Sequence, residues 1–255
     1  MVISVNIVNF ANIINNVNKI NNNNKINKVN KMRNITVCFA NIKGGVGKTH
    51  LAAHFANYLL DQEIPVAVVD VDTQQSLTRR RARELKKDPD ATPNWEVHRL
   101  DPMNEKMAEA IIPQLKTIPG VVIFDCPGSV NDPALVHILP EADIIIIPFE
   151  QDDEDVIDAT VLFGETIKKA APKAKLYFMP NKVNALAERR DSIRKAREYV
   201  YDLIRNQKKL GYLTLFVKQT IDIKDYSTVK PITSDQKNAV NLAFTPIVET
   251  IKKFK

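Results

Sequence analysis

The sequence is short of cysteine, long apolar runs and glycine, and each shortage excludes something. Two cysteines, Cys38 and Cys126, are too few for a disulfide framework or a four-cysteine metal site. Both lie in β-like apolar runs, which points to buried free thiols in a reducing cytoplasm. No stretch of about 18 uncharged apolar residues occurs, so no membrane-spanning helix is expected. Acid is missing from residues 1–33, which carry Lys19, Lys25, Lys28, Lys31 and Arg33. The remaining chain holds 31 basic and 30 acidic residues, so the net +6 is mostly a property of this tail. Net charge therefore says little about nucleic-acid binding, and local patches must carry that question. Only seven glycines occur in 255 residues, yet three of them fall at 44, 45 and 47.

The tail has a period of its own. Asparagine recurs at every third position from Asn6 to Asn30, a spacing that suits neither an amphipathic helix nor a strand. A basic stretch followed by a continuous apolar core is absent, so it makes a poor secretory signal. We expect residues 1–33 to be a disordered or dispensable low-complexity tail, and residues 34–255 to form one domain.

Within that domain, strand and helix patterns alternate. Short apolar runs at 35–40, 66–72, 121–125, 142–149 and 175–180 are predicted as buried strands. Helical spacing appears at 49–61, 75–87, 104–117, 153–170, 188–206 and 237–255, with Pro113 and Pro246 expected to kink or bend their segments. Nearly continuous hydrophobic strands joined by helices imply an α/β fold, with one doubly wound, mostly parallel sheet covered on both faces.

The clustered glycines lie between a predicted strand and a predicted helix, in Gly44-Gly45-Val46-Gly47-Lys48-Thr49. That context marks a P-loop. Glycines let backbone amides turn inward, and the helix that follows adds its positive end, so a polyphosphate can be cradled. Lys48 is expected to reach the β- and γ-phosphates, and the Thr49 hydroxyl to ligate Mg2+. One lysine more, Lys43, precedes the glycines, where the ordinary P-loop has none.

With Lys43 included, the motif resembles the deviant Walker A motif of the ParA/MinD family of P-loop ATPases. The resemblance implies a "signature" lysine that crosses into the partner subunit of an ATP-sandwich homodimer, so that charge neutralisation waits on assembly. Other segments are similar in the expected order. "VVDVDTQQS" matches the family's second motif, which implies that Asp72 orients the attacking water and Asp70 supports the Mg2+ and phosphate environment. "VVIFDCPG" looks like Walker B, with Asp125 holding Mg2+ through water, and "FMPNKVN" implies an adenine contact by Asn181. Thr73 replaces the family's proline, and His50, counted here with the nucleotide-binding segment, stands where a second threonine is common.

Among relatives, the chain is most similar to the small ParA type. This implies a cytoplasmic ATPase, slow alone and stimulated by a centromere- or cargo-binding activator, that joins the nucleoid through non-specific DNA in its ATP state. The DNA surface is expected on Arg190, Arg194, Arg197, Lys208, Lys209, Lys218 and Lys224, from a stretch with 11 basic and 6 acidic residues between 186 and 231. Arg79, Arg80, Arg81 and Arg83 form a second, lower-ranked cluster. Two alternatives are a MinD-like membrane-cycling factor, whose amphipathic tail would be 242–255, and a metabolic ATP-dependent enzyme on the same scaffold. For the tail we expect packing of Leu242, Phe244, Ile247, Val248 and Ile251 onto the sheet instead, and no membrane partner.

Overall fold

Every strand of the domain runs the same way, which places all the loops that follow strands along one edge. The computed structural model describes residues 32–129, 132–151, 154–184 and 191–254. In chain order the strands are β1 (Asn34–Phe39), β2 (Val66–Asp70), β3 (Glu96–Arg99), β4 (Gly120–Asp125), β5 (Ile144–Phe149), β6 (Lys175–Pro180) and β7 (Tyr212–Leu213). They form one parallel sheet in the order β3-β2-β4-β1-β5-β6-β7. The helices are α1 (Lys48–Asp61), α2 (Ser76–Lys87), α3 (Glu105–Leu115), α4 (Pro133–Ile138), α5 (Glu154–Ala170), α6 (Asp191–Asp202), α7 (Ile221–Lys224) and α8 (Ser234–Lys253).

The strands alternate their side chains between two cores. Ile35, Val37 and Phe39 of β1 pack with Leu51 and Phe55 of α1, Leu77 of α2 and Phe244 of α8. Cys38 faces the other way, with Ile111 of α3, Leu135 of α4, Phe163 of α5 and Val200 of α6. The central strands are therefore buried on both faces, which is why they read as unbroken apolar runs. Both cysteines are buried and free, as expected.

The doubly wound parallel sheet agrees with expectation, and the differences lie at its margins. β3, with the sequence Glu-Val-His-Arg, is only half buried and lacks an apolar run to announce it. β7 spans two residues, and α4 and α7 are too short to show a helical period. The helix expected over 188–206 is α6 followed by a π-helical turn at Leu203–Gln207. α3 and α8 run on through Pro113 and Pro246. α8 starts earlier than 237, because Thr233 and Gln236 form a capping box.

The topology also sets the site. The chain leaves β1 at the centre, winds outward through β2 and β3, returns to β4, and then builds away on the other side through β5 to β7. Where the winding reverses, the loops after neighbouring strands part and leave a crevice at the carboxyl edge. The loops after β1, β2 and β4 meet there.

Candidate functional site

Residues 41–49 leave β1 and turn directly into α1. Gly45 and Gly47 have positive φ angles, 76° and 96°, and Gly47 caps α1 in the left-handed region. A Cβ at Gly47 would collide with the Asn181 amide nitrogen, so this glycine answers to crowding as well as to backbone shape. The loop is tied down from behind. Asn41, which the sequence reading did not single out, is buried and donates to Pro148 O at 2.8 Å and Thr160 Oγ1 at 2.9 Å. Its Oδ1 accepts from the Lys43 backbone at 3.2 Å.

Lys48 lies under the loop. Its Nζ donates to Asn41 O and Lys43 O, each at 3.1 Å, which leaves a third N–H for an added acceptor. Burial lowers its pKa, and the nearby Asp125 opposes that shift. Gly128, in the loop after β4, approaches the lysine so closely that a Cβ there would stand 3.7 Å from Nζ. The Lys43 side chain differs: its ammonium has no hydrogen bond or ion pair among the described residues, although its backbone is held at both ends. Gly44 beside it is open.

Three acids occupy the crevice. Asp70 and Asp125 end adjacent strands in register, β2 against β4. Asp125 is fully buried, and neither carboxylate oxygen has a hydrogen-bond partner among the described residues. Burial pushes its pKa up to about 8, against the pull of the Thr49 hydroxyl and Lys48 and with help from the charges of Asp70 and Asp72. Two buried carboxylate oxygens without partners among the described residues, beside a threonine hydroxyl, are a donor set that suits a hard divalent cation such as Mg2+. Thr49 and Asp125 thus fit the cation that the P-loop motif and the family resemblance imply.

Asp70 has a different local role. Its Oδ2 accepts from both the backbone and the hydroxyl of Thr78, each at 2.9 Å, which pins the first turn of α2, while Oδ1 has no partner among the described residues. Burial raises its pKa despite those two bonds. Asp72 stands between, half exposed, in a turn where its Oδ1 accepts from Gln74 N at 2.9 Å. Thr73 is exposed and donates weakly to the same oxygen at 3.4 Å, so the loop closes without proline.

Asn181 follows β6 and is buried against the glycine loop. Its Nδ2 donates to Val46 O at 2.8 Å, and its Oδ1 has no partner among the described residues. The His50 ring points away from the loop and meets Tyr226 edge-on at 4.7 Å. Burial, then the charges of Arg80 and Lys182, lower its pKa.

The structure separates the basic residues expected to form one surface. Arg190 lies outside the described residues. Arg194 is exposed and paired with Asp191 at 2.9 Å, while Arg197 sits over the Tyr201 ring at 5.9 Å. Lys208 and Lys209 precede β7 near the amino edge of the sheet, Lys208 paired with Glu165 at 2.8 Å. Lys218 and Lys224 are exposed beyond the carboxyl edge, on the side of the crevice. Of the second cluster, Arg79 and Arg83 are exposed, but Arg81 is buried over the Trp95 ring, with its charge spent on Trp95 O and Thr228. At the chain's end, Phe244, Ile247, Val248 and Ile251 are buried as expected, whereas Leu242 is 63% exposed and is corrected to a surface residue. Among the described residues no helix is long and apolar enough to cross a membrane.

The model of the CobQ/CobB/MinD/ParA nucleotide-binding domain matches residues 37–230. No curated protein sequence matches the chain significantly. Among solved structures, the McdA–ATP complex of Cyanothece superposes with a TM-score of 0.64 at 18% identity, over 88% of this chain and 98% of that one. A plasmid partition protein from Borrelia burgdorferi gives 0.61 at 15% identity, over 85% and 99%. The cell division ATPase MinD of Pyrococcus furiosus gives 0.58 at 18% identity, over 87% and 99%.

Proposed function

The chain belongs to the CobQ/CobB/MinD/ParA nucleotide-binding family, and on that footing we propose that it is an ATP-driven switch of the ParA type. In this reading ATP and Mg2+ close a homodimer, the dimer binds non-specific DNA, and a cargo-bound activator triggers hydrolysis and release. The observation that carries it is Lys43: a lysine with a fixed backbone and an ammonium unengaged among the described residues, at the rim of a nucleotide-binding loop. A cation presented this way can complete the neutralisation of phosphates held by a second subunit.

The chain's own residues divide the work. Backbone amides of residues 44–49 and the amino end of α1 hold the β- and γ-phosphates. The third N–H of Lys48 turns to a phosphate oxygen. Thr49 and Asp125 would hold Mg2+, which would supply charge neutralisation to the bound phosphates. Asp72, on an exposed turn facing that edge, orients the attacking water, while Asp70 keeps the turn in place through Thr78. Asn181 lines the base side of the loop. Catalysis of this kind is positioning and electrostatics, so a half-exposed Asp72 and a Lys43 without its target suit a slow intrinsic rate.

DNA contact in this reading falls to Arg194, Arg197, Lys218 and Lys224, with Lys208 and Lys209 more remote, through phosphates and without base readout. The test is DNA co-sedimentation at fixed salt with ATP–Mg2+, ADP–Mg2+ or no nucleotide, on the full chain and on residues 32–255. Retention with ATP alone, in both, is the expected result. Retention in every state that disappears with the tail, or no retention, overturns the DNA-binding part.

A further inference from the structure

Helix α2 begins four residues after Asp72 and is held to the body in an unusual way. Of its twelve residues only Leu77 and Arg81 are buried, against ten of fourteen in α1. One apolar side chain anchors little, so polar ties must set where this helix sits. Thr78 ties its first turn to Asp70 and Arg81 donates to Trp95 O, and the other ties converge on one segment, 225–228. Arg80 donates to Asp225 Oδ1 at 3.0 Å and to Tyr226 O at 2.7 Å. Arg81 donates through Nε to Thr228 Oγ1 at 3.0 Å and through Nη2 to Thr228 O. Glu84 accepts from Thr228 N at 2.8 Å and from its hydroxyl at 2.6 Å, and these bonds outweigh burial and lower its pKa.

The same segment, together with α7 just before it, is also held by α1, the helix of Lys48 and Thr49. Asn57 donates to Ser227 O at 2.9 Å, His54 Nε2 meets Ile223 O at 3.0 Å, and His50 packs on Tyr226. Trp95 Nε1 closes the circuit onto Asn57 Oδ1 at 2.8 Å, beneath the Arg81 guanidinium. Thr228 is fully buried at the junction, accepting from Arg81 and donating to Glu84 with one hydroxyl.

We propose that Arg81, Glu84 and Thr228 are positioning residues for hydrolysis: their clamp fixes α2 against α1 and so sets where Asp72 stands relative to the phosphate loop. This rests on the reading of the crevice as an ATP-hydrolysing site. Asp70 fixes the near end of the Asp72 turn through Thr78, and the clamp fixes the helix into which that turn runs. A displacement of about an ångström at a water-orienting group is enough to cost about a hundredfold in rate. Phosphate binding draws on residues 44–49, which the clamp does not touch, so its loss should act on kcat and spare nucleotide affinity.

The test is Thr228→Val in the full chain, which keeps the shape and deletes the hydroxyl, with Thr228→Ser as the conservative return and Glu84→Gln as a second variant. Mg2+-dependent ATP hydrolysis and binding of a fluorescent ATP analogue are measured on each, with far-ultraviolet circular dichroism to confirm folding. The expected result is a fall in kcat of about tenfold or more for Thr228→Val and Glu84→Gln, analogue affinity within about twofold of the parent, and recovery in Thr228→Ser. Unchanged kcat in both folded variants overturns the proposal, as does affinity falling in step with kcat. An unaltered chain that binds the analogue and hydrolyses no ATP overturns the underlying reading, and the proposal falls with it.

Discussion

Replacing Asp125 by asparagine separates two consequences of burying a carboxylate without partners. The side chain keeps its size and loses its charge. With a pKa of about 8 in the folded chain, against 3.8 as the ordinary value, Asp125 stays protonated at neutral pH in the absence of a cation. The folded state therefore binds a proton that the unfolded state releases above its own pKa, and stability falls as pH rises through the window from 3.8 to about 8. Between pH 6.5 and 8 the linked loss works out at about 1.5 kcal/mol. Burial lowers the pKa values of His50, His54 and His98, the last to about 4, so their contribution to stability rises with pH up to about 6.5 and levels off above it. These groups are common to both proteins and cancel in a difference. Urea unfolding of the nucleotide-free and Mg2+-free chains at both pH values should show the parent losing about 1.5 kcal/mol relative to Asp125→Asn. Stabilisation by ATP with Mg2+ should vanish in the variant. A stability difference independent of pH refutes the raised pKa, and undiminished Mg2+-dependent stabilisation refutes the assignment of Asp125 to the cation.

Other substitutions test the packing beneath the site. Gly47→Ala forces a left-handed backbone and displaces Asn181 from Val46 O, which together should cost about 2–4 kcal/mol in chemical denaturation and weaken binding of an ATP analogue; wild-type affinity and stability would contradict the loop geometry. Phe244→Ala should cost about 3–5 kcal/mol, while Leu242→Asp on the same helix should stay within about 0.5 kcal/mol. Equal losses at the two positions would mean that α8 packs in another register. The single tryptophan, Trp95, is buried against Arg81, so its emission should shift to the red on unfolding, in parallel with circular dichroism.

Much of this site is legible in the sequence because its parts are local. The run from Gly44 to Thr49 carries its own loop geometry, and Asp125 sits at the end of an apolar run long enough to be a strand. What was not legible depends on partners far along the chain. Asn41 matters through Pro148 and Thr160, more than a hundred residues away, and one asparagine after a strand has no periodic signal. Arg80 and Arg81 look like surface charge in the run from 79 to 83, because nothing local shows that Asp225 and Thr228 will meet them. Asp70 is a related case: its resemblance to a phosphate-side acid is sequence-local, while its bond to Thr78 belongs to the three-dimensional turn. The basic stretch from 186 to 231 appears continuous in sequence, yet β7 turns back along the sheet and sends Lys208 and Lys218 toward opposite edges. A half-buried β3 and a two-residue β7 lack the length over which alternation can be read.

The most direct measurement is a paired assay of ATP binding and Mg2+-dependent hydrolysis on the unaltered chain and on Asp72→Ala. Hydrolysis by the first, with unimpaired binding and no turnover by the second, is the outcome that the proposed mechanism predicts. Equal turnover by both would place the water-orienting group elsewhere and contradict the mechanism at its centre.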